Sequence, residues 1–186
     1  MTTTSTAWDS ERQGSDLSLL DVDRRALLAL RTRVHGPRFE RPVAVYSRLG
    51  EHAACWLSLG IAGAALAGTG DKRRAWLRGV ASVAAAYGAN YAVKVAVRRK
   101  RPELPDLPPL TGVISRLSFP SAHATTSFAA AKAYTGLAPG PALYAAALLF
   151  ALSRPYLGVH YPSDVLGGAM LGTLVAAAMA RKDPGR

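Results

Sequence analysis

The sequence is poor in acid, has one cysteine and over long stretches lacks charge altogether. Only 12 Asp and Glu stand against 23 Lys and Arg in 186 residues, a formal net charge of +11. The lone Cys55 excludes an internal disulfide and a cysteine-based zinc cluster. Charged residues make up 19% of the chain, against about 25% in an average soluble domain. With 49% hydrophobic residues, the composition is not that of a disordered protein. Residues 1–14 hold no apolar run, which predicts a disordered tail rather than a cleavable secretory signal. There is no alternating strand pattern and no internal repeat, and the length argues against two large domains.

What is present is segregated apolar sequence. Residues 53–70 carry no charge; Arg78 and Lys94 bracket fifteen uncharged residues, Lys132 and Arg154 twenty-one, and Asp164 and Arg181 sixteen. A bilayer crossing takes about 20 apolar residues. The blocks predict an all-α polytopic membrane bundle of about five spans, near 53–70, 75–97, 122–137, 141–158 and 163–181. The alternative is a soluble helical bundle with buried core helices. Ahead of them, Leu17, Leu20, Leu27, Leu28, Leu30 and Val34 mix with Arg24, Arg25, Arg31 and Arg33. That mixture predicts an amphipathic helix, lying in the membrane interface or packed on the protein itself. The chain thus divides into a tail (1–14), an amphipathic juxtamembrane segment (15–50) and a transmembrane domain (51–182).

The basic residues cluster at the ends of the apolar blocks: Arg48, Lys72 to Arg74, Arg98 to Arg101, Arg181 and Lys182. That placement suits lipid headgroups rather than nucleic acid, for which no motif is present.

Three polar clusters carry the chemistry. Lys94 and Arg101, seven apart, lie two turns apart on one face if the helix continues to Pro102, and two fixed cations can clamp an anion. Pro120-Ser121-Ala122-His123 opens an apolar run; Ser121 reads as an N-cap, and the amides behind it form an anion site with His123 in the first turn. A histidine there can protonate a leaving group. In the segment from Ser153 to Asp164, Arg154 closes one span, and His160 and Asp164 stand four apart. A carboxylate on one ring nitrogen fixes the tautomer and frees the other nitrogen to attack. A metal site would require more ligands than these clusters supply. Each cluster alone also fits a basic helix end or an ordinary capped helix. With five crossings, however, all three fall on one side of the membrane.

In order, Lys94 to Pro102 (K-x6-R-P), Pro120 to His123 (P-S-G-H with alanine for glycine) and Ser153 to Asp164 (S-R-x5-H-x3-D) resemble the type 2 phosphatidic acid phosphatase superfamily. The resemblance covers roughly residues 53 to 181. It implies a membrane phosphatase with no metal and no cofactor. In it His160 is the nucleophile forming a phosphohistidine, Asp164 orients it and His123 is the general acid. Lys94, Arg101, Ser121, Arg154 and the amide of Ala122 hold the phosphoryl oxygens. Two departures stand out: alanine at 122, which questions any positive φ there, and a short basic segment where many members have a first span.

Within that family, the stretches Asp106 to Leu110, Leu117 to Phe128 and Tyr46 to His52 are similar to actinobacterial phosphatases that remove the 5-phosphate of decaprenylphosphoryl-5-phosphoribose on the route to cell-wall arabinan. The resemblance implies a polyprenyl-linked phosphate lipid as substrate. A polyprenyl pyrophosphate phosphatase is the alternative, and a non-catalytic lipid-binding protein a distant one. Arg48, Glu51 and His52 are candidates for reading the headgroup, or equally a helix-start cluster at the interface. The Lys and Arg near the spans are almost evenly divided between the two faces. A cytosolic phosphoribosyl donor then implies a multi-pass protein of the cytoplasmic membrane with a cytoplasmic active site.

Overall fold

The computed structural model describes residues 20–104 and 106–181. The expected tail lies outside the described residues. The described residues form helices joined by turns, with a long non-helical connection between Val97 and Ala122 and two isolated β-bridges, Lys100 with Leu117 and Thr135 with Ala138. Helix α1 covers residues 20–29 and runs into a π turn over Leu30–Val34; α2 is Pro37–Leu49, and a single 3-10 turn, Glu51–Ala53, leads into α3, Ala54–Leu66. Helices α4 (Asp71–Val97), α5 (Ala122–Tyr134), α6 (Gly140–Tyr156) and α7 (Pro162–Arg181) complete the chain.

Helix α5 is the centre of the bundle. It packs on α3, α4, α6 and α7, and nine of its thirteen residues are buried. The small side chains Ala124, Ala129, Ala130 and Ala131 are fully enclosed, which lets neighbouring backbones approach closely. Gly168 and Gly172 on α7 set the closest approach. A Cβ at Gly172 would lie 2.0 Å from the carbonyl oxygen of Thr125, and one at Gly168 2.6 Å from that of Ser121. Two hydrogen bonds tie α5 to α3: Trp56 Nε1 donates to Ser127 Oγ at 2.8 Å, and Tyr134 Oη to the carbonyl of Trp56 at 3.0 Å.

The bundle encloses polar side chains beside an apolar core that includes Trp56, Tyr134 and Phe150, and it leaves large apolar side chains on its outer face. Thr125, Thr126, Ser127 and Asn90 are buried, while Leu149, Leu166, Met170 and Leu174 are exposed. That is the pattern of a protein whose outer solvent is lipid. By length and composition α4 and α7 can each cross a membrane, and α2 with Glu51–Leu66, bent by 48°, makes a third candidate if the pair is one span. Helices of 13 residues such as α3 and α5 are only about 20 Å long at 1.5 Å per residue. The five expected segments are five helices, but not all of them are full-length apolar spans.

Helix α1 is packed on the protein. The buried stripe of α1 and the π turn after it is Asp23, Leu27 and Arg31, while Leu20 and Val22 are exposed. Of the two placements the amphipathic pattern left open, the described residues show contact with the protein, and the buried stripe carries charge as well as leucine. The reason is that Arg31 finds carbonyl acceptors, donating to Tyr156 at 3.2 Å and Pro108 at 2.8 Å.

Candidate active site

Four segments meet at one end of the bundle: the end of α4 with the loop after it, the start of α5, the α6–α7 junction and the α2–α3 turn. They enclose a cavity of about 300 Å³ lined by Lys94, Arg101, Ala122, His123, Arg154 and His160, and also by Glu51, His52, Tyr87 and Tyr91.

Helix α4 places Asn90 and Lys94 on its buried face one turn apart. Lys94 Nζ donates to the carbonyls of Leu117, Ser118 and Pro120 at 3.2, 3.3 and 3.0 Å. Asn90 Nδ2 donates to Thr125 Oγ1 at 2.9 Å and to the carbonyl of Pro120 at 3.2 Å. The helix does not persist to Pro102. Arg98 adopts a left-handed conformation (φ 54°) and closes it, its N–H donating to the Lys94 carbonyl at 3.0 Å. Arg101 therefore reaches the cavity from a loop, not from the face it was expected to share with Lys94. It is fixed there by Nε donating to the Ser115 carbonyl and Nη1 to the Val159 carbonyl, both at 2.6 Å.

His160 is enclosed, 2% exposed. Arg101 Nη1 lies 3.1 Å from its Nε2. A guanidinium only donates, so Nε2 presents its lone pair toward the cavity and Nδ1 carries the proton. Nδ1 faces Asp164 Oδ2 at 3.4 Å. Burial first, and then the positive charges of Arg101, Arg154 and Lys94, hold the imidazole well below its ordinary pKa. His160 is thus kept neutral, as a nucleophile requires.

Ser121 stands at the N-cap of α5, but its hydroxyl does not cap the helix. Its N–H donates to the Asp164 carbonyl at 2.9 Å, while Oγ is buried with no partner. Arg154 Nε is likewise buried and unpartnered. Two unsatisfied donors beside three cations and a helix N-terminus are what an anion would complete. Ala122 has no positive φ, so alanine replaces glycine there without strain. His123 Nε2 donates to the Ser47 carbonyl at 2.8 Å. Among the described residues, no three His, Cys, Asp or Glu side chains are placed to share a metal ion.

Of the headgroup candidates, Glu51 and His52 line the cavity, and His52 Nδ1 lies 3.0 Å from Tyr87 Oη. Arg48 is exposed and off the cavity wall. Sequence reasoning missed Ser47, whose buried hydroxyl accepts from Arg154 Nη1 at 2.7 Å. It also missed Arg99, which pairs with both Asp164 and Asp23 at 2.8 and 2.7 Å. Ser47 lay inside a stretch already singled out. Arg99 was hidden in a basic run, and nothing local marks Asp23.

Residues 75–185 match the PAP2 superfamily. The chain is 48% identical over 124 residues, 66% of this chain and 67% of the relative, to a decaprenylphosphoryl-5-phosphoribose phosphatase of Mycolicibacterium smegmatis. It is 42% identical to the Mycobacterium tuberculosis protein of the same name, over 75% of this chain and 78% of that one. Its fold is similar to the crystal structure of a transmembrane PAP2 type phosphatidylglycerolphosphate phosphatase from Bacillus subtilis. That match has a TM-score of 0.72 at 24% identity and covers 91% of this chain and 90% of that one. A family match over more than half the chain and a bundle of the same design lead to one conclusion: the chain belongs to the PAP2 superfamily.

Proposed function

We propose that this phosphatase removes the 5-phosphate from decaprenylphosphoryl-5-phosphoribose, through a phosphohistidine on His160. The observation that carries the chemistry is the environment of His160 Nε2, which faces a cavity lined by Arg101, Arg154 and Lys94. Phosphoryl transfer needs positioning and charge stabilisation more than covalent chemistry. The phosphoryl oxygens would take the unfilled donors of Ser121 Oγ and Arg154 Nε and the amide of Ala122. His160 Nε2 bonds to phosphorus as the bond to the ribose 5-oxygen breaks, and His123 gives that oxygen a proton. The Ser47 carbonyl, bonded to His123 Nε2, steadies the imidazolium and leaves Nδ1 to transfer the proton. Water then attacks the phosphohistidine, returning a proton to His123 and releasing phosphate. Asp164 keeps the His160 proton on Nδ1 throughout.

The substrate reading rests on the mycobacterial relatives at 42–48% identity and on a mixed cavity wall. Glu51, His52 and Tyr87 supply hydrogen-bonding groups for a sugar, and Val95, Val113 and Ile114 an apolar margin for the prenyl chain. We further read the bundle as five crossings of the cytoplasmic membrane, α1 at its interface and the cavity toward the cytoplasm, where phosphoribosyl lipids are made.

The test is phosphate release by detergent-purified protein from a polyprenyl-phosphoryl-5-phosphoribose and from a polyprenyl pyrophosphate. Preference for the sugar phosphate, weakened by Glu51→Ala with His52→Ala, is the expected result. Preference for the pyrophosphate would overturn the substrate assignment while leaving the chemistry intact.

A further inference from the structure

The buried stripe of α1 ends in a chain of contacts to the nucleophile. Asp23 is 8% exposed. Its Oδ2 accepts from Arg99 Nη2 at 2.7 Å, and its Oδ1 accepts the amide of Ser163, in the first turn of α7, at 3.0 Å. Arg99 Nη1 donates to Asp164 Oδ1 at 2.8 Å and to Ser163 Oγ at 2.6 Å. The guanidinium lies over the Tyr161 ring, 4.1 Å from its centroid. Asp164 Oδ2 accepts the Tyr161 amide at 2.9 Å and faces His160 Nδ1.

An arginine beside a buried carboxylate tends to fork onto both oxygens through two parallel hydrogen bonds. Here that would draw Asp164 Oδ2 away from His160 and neutralise its charge. Asp23 prevents it by engaging Nη2, so that Arg99 meets only Oδ1. We propose that Asp23 and Arg99 are positioning residues of the catalytic apparatus: by dividing one guanidinium between two carboxylates, they reserve Asp164 Oδ2 for His160. The inference rests on the reading of His160 as nucleophile. It makes α1, the segment ahead of the bundle, a working part of the site.

The test measures kcat and KM for wild type, Asp23→Ala, Arg99→Lys and the double variant, with melting temperatures in detergent. The probes are a polyprenyl-phosphoryl-5-phosphoribose and a short-chain phosphatidic acid. At metal sites, loss of a group that orients a ligand costs about 10- to 100-fold in affinity or activity, and a loss of that order is the expectation for the orienting of His160. Asp23→Ala should lose that much kcat with KM nearly unchanged. Lysine cannot fork, so the Asp23 substitution should cost little more on the Arg99→Lys background, a non-additivity that contacts in one network produce. If Asp23→Ala does not fold, Asp23→Asn, which still accepts the Ser163 amide, takes its place. Wild-type kcat in the Asp23 variant, a KM effect alone, or equal losses on both backgrounds would overturn the inference. Wild type inactive on both probes would instead overturn the phosphatase reading beneath it. Activity on phosphatidic acid alone would remove only the substrate assignment.

Discussion

Gly168→Ala tests how closely the catalytic geometry depends on helix packing. A Cβ there would sit 2.6 Å from the Ser121 carbonyl oxygen, 3.0 Å from Ala124 Cβ and 3.1 Å from Thr125 Oγ1. The nearest obstacle is backbone, and real Cβ contacts essentially never fall under 3.0 Å, ordinary ones starting near 3.4 Å. The start of α5 must therefore move from α7 by about 0.4 to 0.8 Å, the difference between those separations. Overpacking of this kind costs about 1–3 kcal/mol of stability. The same shift separates Ser121, Ala122 and His123 on α5 from Asp164 on α7, and strains the Ser121 N–H to Asp164 carbonyl bond. Misplacement by about 1 Å can cost about 100-fold in rate, so roughly a tenfold or larger loss of kcat is expected. The assay pairs thermal unfolding in detergent with steady-state phosphate release. Gly172→Ala, facing backbone at 2.0 Å, should destabilise more. Gly88→Ala, with nothing within 4 Å, should be neutral or slightly stabilising through helix propensity. A Gly168→Ala protein with wild-type melting and kcat would refute the reasoning.

Further expectations concern His160 and the chemistry. Its pKa is depressed in the folded state, whereas the unfolded chain takes up that proton below about pH 6.5. Stability should therefore fall as pH drops through that value, and His160→Asn should flatten the decline in melting temperature; an unchanged slope would contradict a buried neutral His160. EDTA should leave turnover intact, because cations rather than a carboxylate cluster surround His160; inhibition reversed by a divalent ion would defeat this. His160→Ala should abolish turnover while Arg38→Ala, outside the three motifs, leaves it near wild type; parallel losses would indicate folding rather than chemistry.

Much of the site was legible because its residues sit at the ends of apolar blocks, where a polar side chain is costly unless it is used. Spacing placed His160 beside Asp164, and the alternation of helix direction brought Lys94, His123 and Arg154 to the same end. What spacing could not show was where α4 stops. The left-handed Arg98 ends it before Pro102, so Arg101 arrives from a loop. Nor could local pattern reveal Asp23 or Ser47, which enter the site from α1 and α2 through contacts spanning much of the sequence. The pattern of α1 left open whether it lies in the interface or on the protein, because the partners of the buried Asp23 and Arg31 lie more than seventy residues away. The segment expected near 122–137 is the helix Ala122–Tyr134, and an alanine-rich helix surrounded by protein need not be as long as one that faces lipid.

The most direct test of the central claim is to trap the intermediate. A lipid substrate radiolabelled in its terminal phosphate, mixed with enzyme and quenched in base within one turnover, should leave label on the protein. That label should be stable in base, labile in acid and carried by the peptide containing His160, and should be absent from His160→Ala. Undiminished turnover with no labelled protein, or label on another residue, would contradict the account.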